Sequence, residues 1–184
     1  EKDLDEADKQ LFAKTINQSC DLLLVLINDI LEVSRLQSGQ MKFEKESCSV
    51  KELVDDLYLA HQLLVPAHLR FSKEAEGDLF IYTDKKRLSQ VITNFLTNAC
   101  KFTNSGYIKL GFKHLRGTDE AAIFVEDSGI GLSEEEQEKV FSRFFKQDEF
   151  SQGAGLGLSI CQGIVQNLGG RIALSSKQGE GSRF

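Results

Sequence analysis

The chain has 184 residues, 41% hydrophobic and 27% charged, enough for one full domain with an appendage and a core of ordinary size. Its 22 basic and 28 acidic residues leave a net charge of −6, which excludes the basic footprint of a nucleic-acid binder. A polyanionic ligand would therefore need local donors, because the global field does not attract it.

Residues 3 to 38 read as one long helix free of proline and glycine. Ala13, Ile16, Cys20, Leu23, Ile27, Ile30 and Ser34 recur at alternating gaps of three and four, the seam of a bundle or coiled coil. Such a helix spans about 50 Å and needs partner helices for its seam. Its longest apolar run, Leu22 to Ile27, is far short of the roughly 20 residues of a membrane span, and no signal peptide is visible, so the chain as given reads as soluble. Gly39 marks a stop. Beyond it the pattern becomes mixed α and β. Residues 41–46 alternate like a strand and 50–64 read as a helix. Residues 80–84 form a short strand ending in Asp84, a suitable cap for the next helix. Residues 85–99 are amphipathic, with Leu88, Val91, Ile92, Phe95, Leu96 and Ala99 on one stripe. Two strands at 107–115 and 121–127 follow, then a helix at 133–142, a glycine-rich segment at 153–157, a helix at 156–168 and a strand at 171–176. The final residues, Gly181 to Phe184, read as the inside of a strand. Of the four cysteines, Cys20, Cys48, Cys100 and Cys161, none forms a CxxC pair and three lie in apolar periodic stretches, which points to buried reduced thiols.

Four segments carry candidate chemistry. Asn94 and Asn98 project along the flank of the 85–99 stripe, with Lys101 placed beyond the helix end. Amide oxygens suit Mg²⁺ and an ammonium suits a phosphate, although the same residues also suit the polar boundary of an ordinary helix. In residues 126–132 an apolar strand delivers Asp127 to its end, followed by Gly129 and Gly131. A carboxylate there needs donors, and the exocyclic amine of adenine is one, where guanine would present a carbonyl. The glycines let a flat base approach the backbone, and a plain turn after the strand is the alternative. Gly153, Gly155 and Gly157 precede an apolar helix, so free N–H groups and the positive helix end face an anion. This is neither a Walker A loop nor a good dinucleotide fingerprint, and a flexible linker is the alternative. Phe141, Phe144 and Phe145 recur at helical spacing as core or lid anchors, and Lys146 lies within reach of a phosphate.

The order of these segments, Asn-x-x-x-Asn, Asp-x-Gly-x-Gly, Phe-x-x-Phe-Phe and Gly-x-Gly-x-Gly-Leu, resembles the ATP-binding domain of sensor histidine kinases. That domain is a Bergerat-fold member of the gyrase, Hsp90, histidine kinase and MutL superfamily. Residues 84–103 resemble the kinase branch, and residues 23–41 resemble the second helix of its dimerisation hairpin. The resemblance implies an α/β fold, a two-layer sandwich of a mixed sheet with helices on one face, preceded by a long bundle helix. It divides the chain into residues 1–38, part of the dimerisation hairpin, and 39–184, the catalytic domain with its last strand cut short. By resemblance, Asn98 ligates Mg²⁺, Lys101 contacts phosphates, and Phe102 lines the nucleotide. Asp127 reads adenine, while Gly129, Gly131, Gly153, Gly155, Leu156 and Gly157 surround base and phosphates. Asn94 stands where gyrase-like relatives carry a glutamate base, and an amide cannot take that proton, so hydrolysis by water is expected to be slow. The implied function is Mg²⁺- and ATP-dependent phosphorylation of a histidine, then of an aspartate on a response-regulator receiver domain. The chain would belong to a homodimer in the cytoplasmic part of a membrane-anchored sensor. None of His61, His68 and His114 has the family's His-Glu-x-x-x-Pro context, so the acceptor histidine is expected outside this chain. The lid between Phe145 and Gly153 is shorter than the family's. A gyrase- or Hsp90-like ATPase and a non-catalytic nucleotide-binding module are the rival readings.

Overall fold

A computed structural model describes residues 5–75, 77–115, 117–118, 120–147 and 154–184. Helix α1, Glu6–Gln37, is capped by Asp5, whose carboxylate accepts the Asp8 N–H at 2.7 Å, and ends where Gly39 takes φ +65°. Strand β1 (Glu46–Ser49) leads into α2 (Val50–His61), which the Ser49 hydroxyl caps. Next come β2 (Leu69–Ala75), β3 (Phe80–Thr83), α3 (Lys85–Phe102), β4 (Gly106–His114) and β5 (Ala121–Asp127). The chain closes with α4 (Glu134–Lys139), α5 (Gly157–Leu168), β6 (Ser175–Lys177) and β7 (Gly181–Arg183).

The main sheet has the order β2-β4-β5-β7-β6. Strands β2 and β4 are parallel and the remaining pairs antiparallel, so the sheet is mixed. β1 and β3 form a separate antiparallel pair. Along β4, Ile108, Leu110 and Phe112 point into the core. They meet Val50, Leu53 and Val54 of α2, Val91, Phe95 and Leu96 of α3, and Ile160 and Ile164 of α5. The alternate positions Tyr107 and Lys109 join Glu126 and Arg183 in a polar network, with Tyr107 donating to Glu126 at 2.8 Å and Arg183 paired to Glu126 at 2.8 Å. Helices on one face of a mixed sheet, with a long leading helix, are the architecture expected from the sequence.

Several local expectations are corrected. Residues 41–45 form no strand, because the Glu44 N–H is drawn to the Asp84 carboxylate, and pairing begins at Glu46. Lys101 and Phe102 lie inside α3 rather than beyond it, since no breaker intervenes before Thr103. The helix after Ser133 ends at Lys139, so the phenylalanines follow it in a turn in which Phe144 takes φ +64°. Residues 171–174 are not strand; the strand expected at 171–176 is confined to β6, which pairs in a hairpin with β7, the strand expected at the chain's end. Among the cysteines, Cys48 and Cys161 are buried and Cys100 is half-buried, but Cys20 is exposed on α1. Among the described residues no helix is long and apolar enough to cross a membrane.

Candidate functional site

Asp84 fixes the helix that carries the two asparagines. One oxygen accepts the Arg87 N–H at 3.0 Å and caps α3, and the other accepts the Glu44 N–H at 3.0 Å. With Val91, Ile92, Phe95, Leu96 and Ala99 turned into the core, Asn94 and Asn98 are held at the edge of that buried stripe. The Asn98 amide donates to Asn94 Oδ1 at 3.2 Å, which leaves the Asn98 oxygen unused by this bond. Lys101 lies one turn further, its ammonium 4.9 Å from the centre of the Phe102 ring.

β5 carries Asp127 to its end, where it is 8% exposed. Burial pushes its carboxyl above the ordinary range, against the opposing pull of bonds from the Gly129 and Ser182 N–H groups and the Thr103 hydroxyl. The Gly129 N–H lies 2.8 Å and the Thr103 hydroxyl 3.5 Å from Oδ1. A Cβ on Gly129 would sit 2.4 Å from the Phe102 carbonyl oxygen, so only glycine lets the chain turn behind this carboxylate. Gly131, at φ +62°, would press a Cβ to 2.0 Å from the Lys177 carbonyl.

The N-terminus of α5 has Leu156 at the cap position, no side-chain cap and no acid in its first turn, so its leading N–H groups face the cleft. A Cβ on Gly157 would lie 2.4 Å from Asn94 Nδ2, which means that helix start and asparagine touch.

These parts converge on one cavity of about 300 Å³. Of the residues anticipated from the sequence, its wall includes Asn94, Asn98, Lys101, Phe102, Asp127, Gly131, Lys146, Gly155 and Gly157. Gly129 stands behind Asp127, and Leu156 is buried at the start of α5. Gly153 lies outside the described residues. Sequence reasoning missed Thr103 and Ser182, which bond Asp127, and Val25 and Asp29, which reach the wall from α1. Thr103 directly follows Phe102, so a polar partner for Asp127 could have been sought there; no local signal marks Asp29.

A buried carboxylate at one end, with two amides, ammoniums and an uncapped helix start at the other, defines a cleft for a flat donor-bearing ring with an anionic tail. The protein is thus an α/β sandwich with a nucleotide-type cleft between its helices and its glycine-rich segment. A family model described as "Histidine kinase-, DNA gyrase B-, and HSP90-like ATPase" matches residues 83–184, and the chain belongs to that family. It is 38% identical over 179 residues to the alginate biosynthesis sensor protein KinB of Pseudomonas aeruginosa, covering 93% of this chain and 29% of KinB. The crystal structure of full-length ShkA in complex with AMPPNP superposes with a TM-score of 0.85 at 25% identity, over 99% of this chain and 38% of that one. The structure of histidine kinase ThkA in complex with response regulator protein TrrA superposes with a TM-score of 0.78 at 26% identity, over 98% of this chain and 51% of that one. The chain therefore spans under a third of the length of KinB and about half of ThkA.

Proposed function

We propose that this chain is the ATP-binding catalytic core of a sensor histidine kinase. The observation that carries the reading is the convergence of Asp127, Asn98, Asn94, Lys101 and Gly157 on one cavity from three separate elements. The base belongs at Asp127: its carboxylate is desolvated, and the donors that reach it come from the protein side, so an exocyclic amine completes its shell. The phosphates belong at the start of α5, with Lys101 and Lys146 as cations of the wall. Asn98 offers its unused amide oxygen to Mg²⁺, with Asn94 holding its rotamer. Bound Mg²⁺ supplies neutralisation of phosphate charge. The chain's own contribution is positioning and desolvation of the nucleotide.

An amide at position 94 takes no proton from water, which favours transfer to a protein group over hydrolysis. His61 is buried, with Nδ1 2.8 Å from the Leu57 carbonyl, and no histidine lines the cavity. The acceptor in this reading is therefore a histidine of another segment, and the phosphoryl group passes on to a receiver-domain aspartate. Residues 1–38 belong to the dimerisation hairpin, with α1 as its second helix, and 39–184 to the catalytic domain, in the cytoplasmic part of a longer sensor. Calorimetry tests the site. Asp127→Asn is expected to weaken Mg·ATP binding at least about a hundredfold, as an unpaired, wrongly polarised group faces the amine. Asn98→Ala is expected to remove the Mg²⁺ dependence of ATP binding. Wild-type affinity in either variant would overturn the assignment.

A further inference from the structure

Two residues of the cavity wall, Val25 and Asp29, come from α1 and not from the sandwich. They belong to a stripe with Glu32 and Leu36, spaced by four, three and four residues. Its two C-terminal members grip the sandwich, while Val25 and Asp29 border the cavity. Glu32 pairs with Arg87 at 2.9 Å and accepts the Gln90 amide at 2.6 Å, and both ion-pair partners are only about one-fifth exposed. Leu36 packs so close to Gly163 that a Cβ there would meet it at 3.1 Å. At 100° per residue this stripe lies about 170° round the helix from the Ile16–Cys20–Leu23–Ile27–Ile30 seam. α1 thus has two opposite working faces, one apolar and one that clasps α3 and α5.

The position of Asp29 within the cavity follows from its neighbours. Asp29 and Glu32 both act electrostatically on the Cys161 thiol, one turn beyond Gly157, and Cys161 lies against the Val91 carbonyl at 3.9 Å. Glu32 meets Gln90, and about one turn of each helix leads back to Asp29 on α1 and on to Asn94 on α3, both of them in the cavity wall. Asp29 therefore stands at the Asn94–Gly157 end, where the proposed function puts phosphates. Burial, and then Glu32, pushes its carboxyl up, as for a desolvated acid beside a second acid.

Resting on that reading of the cavity, we propose that Asp29 is a charge gate contributed by α1. While the Glu32–Arg87–Gln90 clasp holds α1 against the sandwich, the carboxylate in the wall opposes the terminal phosphate. Docking of α1 and binding of a nucleoside triphosphate then work against each other, with smaller opposition to a diphosphate and none to a nucleoside.

The test is calorimetry on the 184-residue chain with Mg·ATP, Mg·ADP and adenosine. Removing one wall charge changes the affinity for each further phosphate charge about three- to tenfold. Asp29→Asn is thus expected to tighten ATP about three- to tenfold more than ADP and to leave adenosine unchanged. Arg87→Met, which loosens the clasp without touching the cavity, is expected to tighten ATP in the same direction, and the two changes together to gain less than their product. Weaker ATP binding in Asp29→Asn would make the carboxylate a cation ligand and overturn the gate. Equal changes for all three ligands, or no change, would also overturn it. If the wild-type chain binds none of the three, the nucleotide reading fails and the gate with it; if it binds ATP through Asp127 yet ignores Asp29, only the gate fails.

Discussion

At the scale of single residues, Gly157 separates fold from function. It opens α5, where alanine would ordinarily favour the helix by about 1 kcal/mol. Its added Cβ, however, would meet Asn94 Nδ2 at 2.4 Å, the free end of a side chain that can turn away. Turning it breaks the contact with Asn98 at 3.2 Å and tilts the proposed Mg²⁺ ligand. Gly157→Ala is therefore expected to leave the melting temperature within about 3 °C of wild type. Its Mg·ATP affinity, read by calorimetry, is expected to fall at least about tenfold. A large drop in melting temperature would instead make the glycine a packing requirement. Asp127 was legible in the sequence because an apolar strand ending in an acid is an expensive arrangement without a partner. Asp29 was not, because an acid on a long helix, off its apolar seam, looks like any solvated charge until tertiary packing brings it to a cavity.

At the scale of elements, α3 is the part on which the site depends, and Asp84 is its anchor. Burial tends to raise the Asp84 carboxyl, but the Arg87 and Glu44 N–H groups outweigh it and hold the group below its ordinary value. A lowered native value means stability that is present above the unfolded carboxylate value of about 4 and lost as pH falls through the native one. Asp84→Ala removes a cap worth about 1 kcal/mol and leaves the Glu44 N–H to find another partner for about 1 more. The expected result is a melting temperature lower by about 4–8 °C at neutral pH, narrowing as pH falls through the native value of Asp84. Thermal scans between neutral pH and about 3 would read both. Long periodic elements such as α1, α3 and α5 could be read from the chain because their apolar spacing repeats. Strand β2 was missed because Arg70, Ser72 and Glu74 mask the alternation and its parallel partner β4 lies more than thirty residues away. Strand β7 was read at the chain's end, but β6 was placed too early, at 171–176, because a strand of three residues carries too little pattern to fix its bounds.

At the scale of the whole molecule, the opposite faces of α1 reconcile catalysis with assembly. The clasp face turns inward, while Ile16 and Leu23 on the seam remain 60% and 57% exposed, with Leu11, Phe12, Ile27 and Ile30 exposed alongside them. A continuous apolar face of this length is unstable in water on its own, and a second copy of the same helix offers the matching seam. Because the clasp residues Glu32 and Leu36 lie on the other side, pairing along the seam leaves the nucleotide cleft in place. The chain is therefore expected to sediment as a dimer at micromolar concentration and to dissociate on dilution. Replacing both Ile16 and Ile27 with Glu puts like charges across that seam and is expected to give a monomer at every accessible concentration. Its affinity for Mg·ATP should then match wild type within about twofold, since neither residue reaches the cavity. A monomeric double variant that also lost nucleotide binding would show that the two faces of α1 are coupled. A wild-type chain that never dimerises would show that the seam requires helices other than a second copy of this one.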